Sequence, residues 1–234
     1  MTLRTNARIA GFTFLFYIAV GITSMVLFGR ASGGDGTIAR LASLAQNTTT
    51  VGVTIVLTLL QFVSAVVLAV TLHALTRDED RDLATLGMVF RVSEGVVGAI
   101  APVWTLELLS VASAATRARG ADAAAVQAVG SLLLDARGGT GLIAGTCFAL
   151  GSTAFSYLFL RARSIPVPLA WLGVVASVLL VIELPLQLAG FVEGLVTSVV
   201  WLPMLLFEVP LALWLLVKGV RTPSTSRPLR VELT

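Results

Sequence analysis

The stretch Val51-Gly52-Val53-Thr54-Ile55-Val56-Leu57-Thr58-Leu59-Leu60-Gln61-Phe62-Val63-Ser64-Ala65-Val66-Val67-Leu68-Ala69-Val70-Thr71-Leu72-His73-Ala74-Leu75 decides the fold. It contains no Asp, Glu, Lys or Arg, and it stops at the charged knot Arg77-Asp78-Glu79-Asp80-Arg81-Asp82. A hydrocarbon core of about 30 Å needs roughly 20 apolar residues of helix, and this run exceeds that length. Five similar runs accompany it, from about Ile9 to Phe28, Leu83 to Ser113, Leu142 to Leu160, Val167 to Ala189 and Val196 to Val217. The expected fold is all-α: a polytopic transmembrane bundle of six spans occupying positions 1–220, at about 9–28, 51–75, 83–113, 142–160, 167–189 and 196–217.

Composition agrees. Apolar residues make up 56% of the chain and charged residues 12%, against about 25% charged in a soluble domain. So few charges could not cover a soluble protein of this size. The first run competes with a signal peptide, whose apolar part is about 7–15 residues long. It is longer than that and ends at Phe28-Gly29-Arg30, so it reads as a retained span. The third run is long enough to need tilt or a break, and Pro102 removes a helix hydrogen bond, which predicts a kink there. Between Arg117 and Gly139 the chain turns polar and small, and Val126, Val129, Leu132 and Leu133 recur at helical spacing. That predicts a short amphipathic segment at about 121–136 resting on the membrane surface, or else a lid on the bundle. Arg221 to Thr234, rich in Pro, Ser and Arg, reads as a disordered cytoplasmic tail.

Cytoplasmic loops hold more Lys and Arg. One side of the expected bundle collects Arg4, Arg8, Arg77, Arg81, Arg161, Arg163, Lys218, Arg221, Arg227 and Arg230; the other has Arg30, Arg40, Arg117, Arg119 and Arg137. Both termini are therefore expected in the cytoplasm. Trp171, Trp201 and Trp214 fall near span ends, where indole rings favour the headgroup boundary; Trp104 sits deeper. The preference for arginine over lysine and the abundance of alanine point to a GC-rich bacterial genome. The expected location is thus a bacterial inner or plasma membrane.

A charged side chain at the middle of a membrane helix costs roughly 2.5–3.5 kcal/mol on insertion scales, so it is expected to face the bundle interior and find a partner. Arg91 and Glu94 are three residues apart and share a helix face. At about 1.5 Å per residue Glu94 lies roughly 16 Å deep, near the midplane, and Glu208 lies at a similar depth in the sixth run. Arg91, Glu94 and Glu208 are expected to meet in the core. Two carboxylates against one guanidinium leave a proton or a cation to complete the balance. The plain alternative is a polar clamp between the third and sixth helices. Ile182-Glu183-Leu184-Pro185-Leu186-Gln187-Leu188 and Phe207-Glu208-Val209-Pro210-Leu211-Ala212-Leu213 also share x-Glu-x-Pro-Leu-x-Leu. In both, the proline frees a carbonyl and is expected to widen the helix beside the glutamate, as broken helices do around midplane sites. Glu107 and Glu183 fall in the outer half and Glu193 in a short outer loop; together they could form an acidic vestibule for a cation.

Other chemistry is sparse. His73 is the only histidine, too few for a zinc site, and reads as an interfacial hydrogen-bonding residue. Cys147 allows no internal disulfide and reads as a small buried packing residue. Gly138-Gly139-Thr140-Gly141 has no lysine after it and reads as a flexible entry to the fourth span rather than a phosphate cradle. Gly95, Gly98, Gly145 and Gly151 suit close helix packing. No cofactor, metal or nucleophile motif is present, and without a basic stripe nucleic acid is no partner. The lipid bilayer is the partner the composition implies, a small molecule or cation is a candidate ligand, and no oligomeric state is specified.

Several segments together resemble the domain of unknown function 4386 family of bacterial six-span membrane proteins. They are Arg8-Ile9-Ala10-Gly11, Phe90-Arg91-Val92-Ser93-Glu94, Tyr157-Leu158-Phe159-Leu160-Arg161-Ala162-Arg163-Ser164-Ile165-Pro166 and Leu169-Ala170-Trp171-Leu172-Gly173. The last runs from Leu202-Pro203 through Phe207-Glu208 to Leu213-Trp214-Leu215-Leu216-Val217-Lys218-Gly219. The resemblance implies the six-helix architecture and directs attention to Arg91, Glu94 and Glu208. It implies no reaction.

Three function classes follow. The first is a module that binds or transports a small cation, proton or amphipathic molecule at the midplane carboxylates. The second is a structural or regulatory protein whose buried charges only lock packing. The third is an intramembrane enzyme using a protonated Glu94 or Glu208 as general acid on a lipid or isoprenoid. An enzyme is the least favoured, because no catalytic group beyond carboxylates is evident.

Overall fold

A computed structural model describes residues 2–220, and among these only helices, turns and loops occur. The expected disordered tail, 221–234, lies outside the described residues. Helix α1 spans Leu3–Ala31, α2 Gly36–Gln46, α3 Thr48–Thr76, α4 Arg81–Gly98, α5 Ala101–Ala115, α6 Ala121–Arg161, α7 Val167–Leu188, α8 Val196–Val199 and α9 Trp201–Val217. Six helical units are long and apolar enough to cross a membrane: α1, α3, α4 with α5, α6, α7, and α8 with α9. The protein is a multi-pass integral membrane protein of all-helical fold.

The spans form a closed ring. In chain order α1 packs on α3, α3 on α4, α4 on α6, α6 on α7 and α7 on α9, and α9 returns to α1. Close approach depends on missing side chains. A Cβ on Gly11 would lie 2.5 Å from the Ala212 carbonyl oxygen, and one on Gly173 would lie 2.5 Å from the Phe207 ring. Gly95, Gly145 and Gly151 also sit against neighbours, while Gly98 has only Ala144 at 3.9 Å. Outward faces are apolar, with Phe12, Met25 and Leu206 all more than half exposed, as a lateral surface in lipid requires. At the end of the ring that carries the described chain ends, the α3–α4 turn is fixed by Asp80. Its carboxylate accepts from the Leu83 backbone N–H at 3.1 Å and caps α4. Arg161, at the end of α6, reaches Glu79 at 2.8 Å and Asp80 at 3.2 Å. The Leu83 N–H, more than the neighbouring guanidinium, holds the Asp80 carboxyl below its ordinary range.

The third span is broken, but three residues ahead of the proline. Pro102 stands in the first turn of α5, and the interruption falls at Ala99–Ile100. Proline cannot donate to the carbonyl four residues earlier, and its ring crowds that carbonyl. The strain therefore appears in the preceding turn, where the Ile100 N–H bonds the Val97 carbonyl. Pro185 and Pro210, expected to widen their helices, lie inside α7 and α9, which remain helical through them.

Two features of the distal end differ from expectation. Gly138-Gly139-Thr140-Gly141 is not a flexible boundary, because α6 runs unbroken from Ala121 to Arg161. At about 1.5 Å per residue that helix is roughly 60 Å long, twice the thickness of a hydrocarbon core. Residues 121–136, expected as a separate short segment, are continuous in one helix with the fourth span. Val126 and Leu133 face inward, whereas Val129 and Leu132 are exposed. The second feature is α2, an amphipathic helix with Leu41 and Leu44 fully buried. Phe28, Leu41, Leu44, Val51, Leu108 and Ala112 form a distal core separate from the main one, with Val126, Leu133 and Leu134 packed on it.

Candidate functional site

The buried residues of α4 are Ala84, Gly87, Arg91, Glu94 and Gly95, one helical stripe turned into the ring. Arg91 is 1% exposed and Glu94 5%. Arg91 Nη1 lies 3.0 Å from Glu94 Oε2. The contact is ionic rather than a hydrogen bond, because no guanidinium N–H of Arg91 is aligned on a protein acceptor. The aliphatic part of Arg91 crosses α6 where Gly151 has no side chain; a Cβ there would meet Arg91 Cγ at 2.8 Å. The guanidinium carbon then lies 4.7 Å from the centre of the Phe148 ring and 5.4 Å from that of Tyr17, both within cation–π range.

Tyr17 closes the other side. It is the central residue of α1, with fourteen residues of Leu3–Ala31 on either side, and its O–H donates to Glu94 Oε1. From α9 comes Glu208, 5% exposed, on the buried stripe of Met204, Phe207, Leu211, Ala212 and Leu215. Its Oε1 has no protein hydrogen-bond partner. The structure brings Arg91 and Glu94 together between aromatic walls from α1 and α6, and turns Glu208 of α9 into the interior of the same ring.

The remaining sequence candidates do not join them. Glu183 is 7% exposed on the inner face of α7, and neither carboxylate oxygen has a protein partner. Glu107 stands on the outward face of α5 beside exposed Val103 and Leu106, and Glu193 is exposed in the loop before α8. The three make no common vestibule. His73 is half-buried, with Nε2 3.4 Å from Thr85 Oγ1. Cys147, expected to be buried, is only half-buried. Among the described residues no three His, Cys, Asp or Glu side chains cluster as metal ligands. Two surface clefts of about 410 and 380 Å³ lie at the distal end, the first beside Asp35, Arg40 and Asp135 and the second beside Arg117 and Asp122. Neither is lined by the buried carboxylates.

Sequence reasoning missed Tyr17, Phe148 and the distal arginine. Tyr17 carried a signal, a hydroxyl at the midpoint of an apolar run, but its partner is 77 positions away. Arg137, expected only as a flanking cation, stacks its guanidinium 3.5 Å over Phe28 and donates from Nε to Thr105 Oγ1 at 3.2 Å. With Trp104 Nε1 donating to Thr140 Oγ1 at 3.0 Å, it staples α5 to α6 beyond the break in the third span.

Chemically, the cluster holds two carboxyl groups, one guanidinium and one phenol. With both carboxyls ionised and the phenol neutral it carries one net negative charge; one proton or one monovalent cation neutralises it. Compared with known proteins, the model of the family described as domain of unknown function 4386 matches residues 9–219, nearly the whole chain. No curated protein and no solved structure matches.

Proposed function

The chain belongs to the domain of unknown function 4386 family, and on that premise we propose that its buried cluster binds a proton exchanged with water and carries it across the bilayer. The observation that carries this is Glu208, a buried carboxyl with an unpartnered oxygen on the inner face of a ring that already holds the neutral Arg91–Glu94 pair. An ionised Glu208 would leave a net charge in a low-dielectric interior, which is costly. A proton on either carboxyl removes that cost. The contacts of Arg91 with Gly151, Phe148 and Tyr17 are close, so the site suits the smallest of the candidate ligands rather than an amphipathic molecule. The excess of basic residues flanking the described chain ends supports a cytoplasmic location for that end, and the cell membrane is the bilayer this reading takes.

Purified protein in phosphatidylcholine vesicles with a trapped pH dye tests the proposal. Wild type should carry protons down an imposed potential, and Glu208→Gln should not. Wild-type flux equal to that of empty vesicles would contradict transport. Native mass spectrometry separates the ligands: a specific adduct lost in Glu94→Gln and Glu208→Gln would replace the proton with that molecule. A packing clamp is the second reading. It is favoured by the hydrogen bond from Tyr17 on α1 to Glu94 on α4, and by Arg91 lying across Gly151 of α6.

A further inference from the structure

Glu183 has no role in the cluster, yet it is as deliberately placed. It falls on the inner stripe of α7 with Ala176, Leu180 and Leu184, a face that could have been wholly apolar. More than nine-tenths of it is covered, and both oxygens lack a protein partner. Its level in the ring follows from α6 used as a ruler. Leu184, the next residue, would touch a Cβ built on Gly145 at 3.2 Å, whereas Arg91 crosses at Gly151. Six residues separate those glycines, so Glu183 stands roughly 9 Å beyond Arg91 toward the distal end at about 1.5 Å per residue. Glu94, one turn distal to Arg91 on α4, lies between the two levels. From Glu183 only five residues of α7 remain before the loop that carries exposed Glu193. The shared Glu-x-Pro pattern gains meaning here. Both of its glutamates are buried with an unpartnered oxygen, and both precede a proline inside a continuous helix.

We propose that Glu183 is the distal proton-exchange site, taking a proton from water on the distal side of the ring and passing it inward to Glu94 and Glu208. In the first step hydronium loses a proton to the Glu183 carboxylate, forming an O–H bond and leaving water. In the second that O–H bond breaks as the proton moves over bridging water to the inner carboxylate. Nothing is oxidised or reduced. The inference rests on the proposed proton site, because a distal station matters only if the inner pair exchanges a proton.

The test follows the infrared carboxylic-acid stretch of the full chain in phosphatidylcholine nanodiscs after a switch from water to heavy water. The inner signal is first assigned by its loss in Glu208→Gln. Glu183→Gln should leave that signal in place and slow its deuterium exchange about a hundredfold, the lower end of what a positioned proton-transferring group contributes. Glu183→Asp should recover part of the rate. An unchanged exchange rate in Glu183→Gln would overturn the distal station and leave the inner site standing. Absence of any Glu208 signal in wild type would overturn the inner site itself. A hydrophobic carbodiimide provides a check independent of how any variant folds. It adds to protonated buried carboxyls, so peptide mass spectrometry of labelled wild type should find the adduct on Glu183; no adduct there overturns the inference.

Discussion

Glu94→Gln, Glu208→Gln and the double variant should not be additive, and charge counting gives the pattern. In the wild-type cluster Arg91 and Glu94 cancel, and Glu208 is balanced by a proton. Glu208→Gln keeps the ion pair and replaces a neutral acid with a neutral amide, so it should cost no more than about 1 kcal/mol, the net worth of one hydrogen bond. Glu94→Gln removes the counterion 3.0 Å from Arg91 and the charged acceptor of the Tyr17 O–H. Glu208 can then ionise in its place, which limits the loss to about 1.5–3 kcal/mol, the range for a charge-assisted hydrogen bond. The double variant leaves Arg91, 1% exposed, with no carboxylate in reach. Breaking a buried pair in that way costs about 3–5 kcal/mol. The coupling energy should therefore be roughly 1–2 kcal/mol, within the range for groups in one network. Reversible unfolding in mixed detergent micelles would measure all four proteins. Additivity within about 0.5 kcal/mol, or a Glu208→Gln loss equal to that of Glu94→Gln, would refute the shared-charge picture.

Four further outcomes follow from the structure. Gly151→Ala should destabilise by about 1–3 kcal/mol, as overpacking does, because its Cβ meets Arg91 Cγ at 2.8 Å and the Gly87 carbonyl oxygen at 3.1 Å. Gly29→Ala, with nothing within 4 Å, should instead stabilise α1 by about 0.5–1 kcal/mol in the same unfolding assay. Tyr17→Phe should cost about 1.5–3 kcal/mol by the same assay, for a charge-assisted hydrogen bond, and most of that loss should vanish in a Glu94→Gln background. Because folding lowers the Asp80 carboxyl from its ordinary 3.8, its contribution is present above that value and lost as pH falls through the lowered one. Thermal midpoints of wild type and Asp80→Asn should therefore differ at neutral pH and converge in acid; a gap that persists in acid would contradict the cap.

The run from Val51 to Leu75 and its five counterparts made the six spans legible, because only length and apolarity are needed to cross lipid. Arg91 and Glu94 were legible as a pair because helical spacing of three is a local property. Tyr17 was not, since its bond to Glu94 depends on which helices become neighbours in the ring. The glycines at 138, 139 and 141 misled for a different reason. Each would cost an isolated helix about 1 kcal/mol, but tertiary packing overrides that preference: on the same turns Thr140 accepts from Trp104 and Arg137 donates to Thr105, and α6 stays helical through them. Helix α2 escaped notice because Leu41 and Leu44 sit in a short polar link. Glu107 was placed by depth alone, and depth does not determine which way a helix face turns.

The most direct measurement is the infrared carboxylic-acid stretch at neutral pH, compared among wild type, Glu208→Gln and Glu94→Gln. A protonated inner carboxyl should absorb in wild type, and that component, distinct from any Glu183 band, should be lost in Glu208→Gln. It should be lost in Glu94→Gln as well, because Glu208 then ionises to balance Arg91. A wild-type band that survives both substitutions unchanged would contradict a proton held between Glu94 and Glu208.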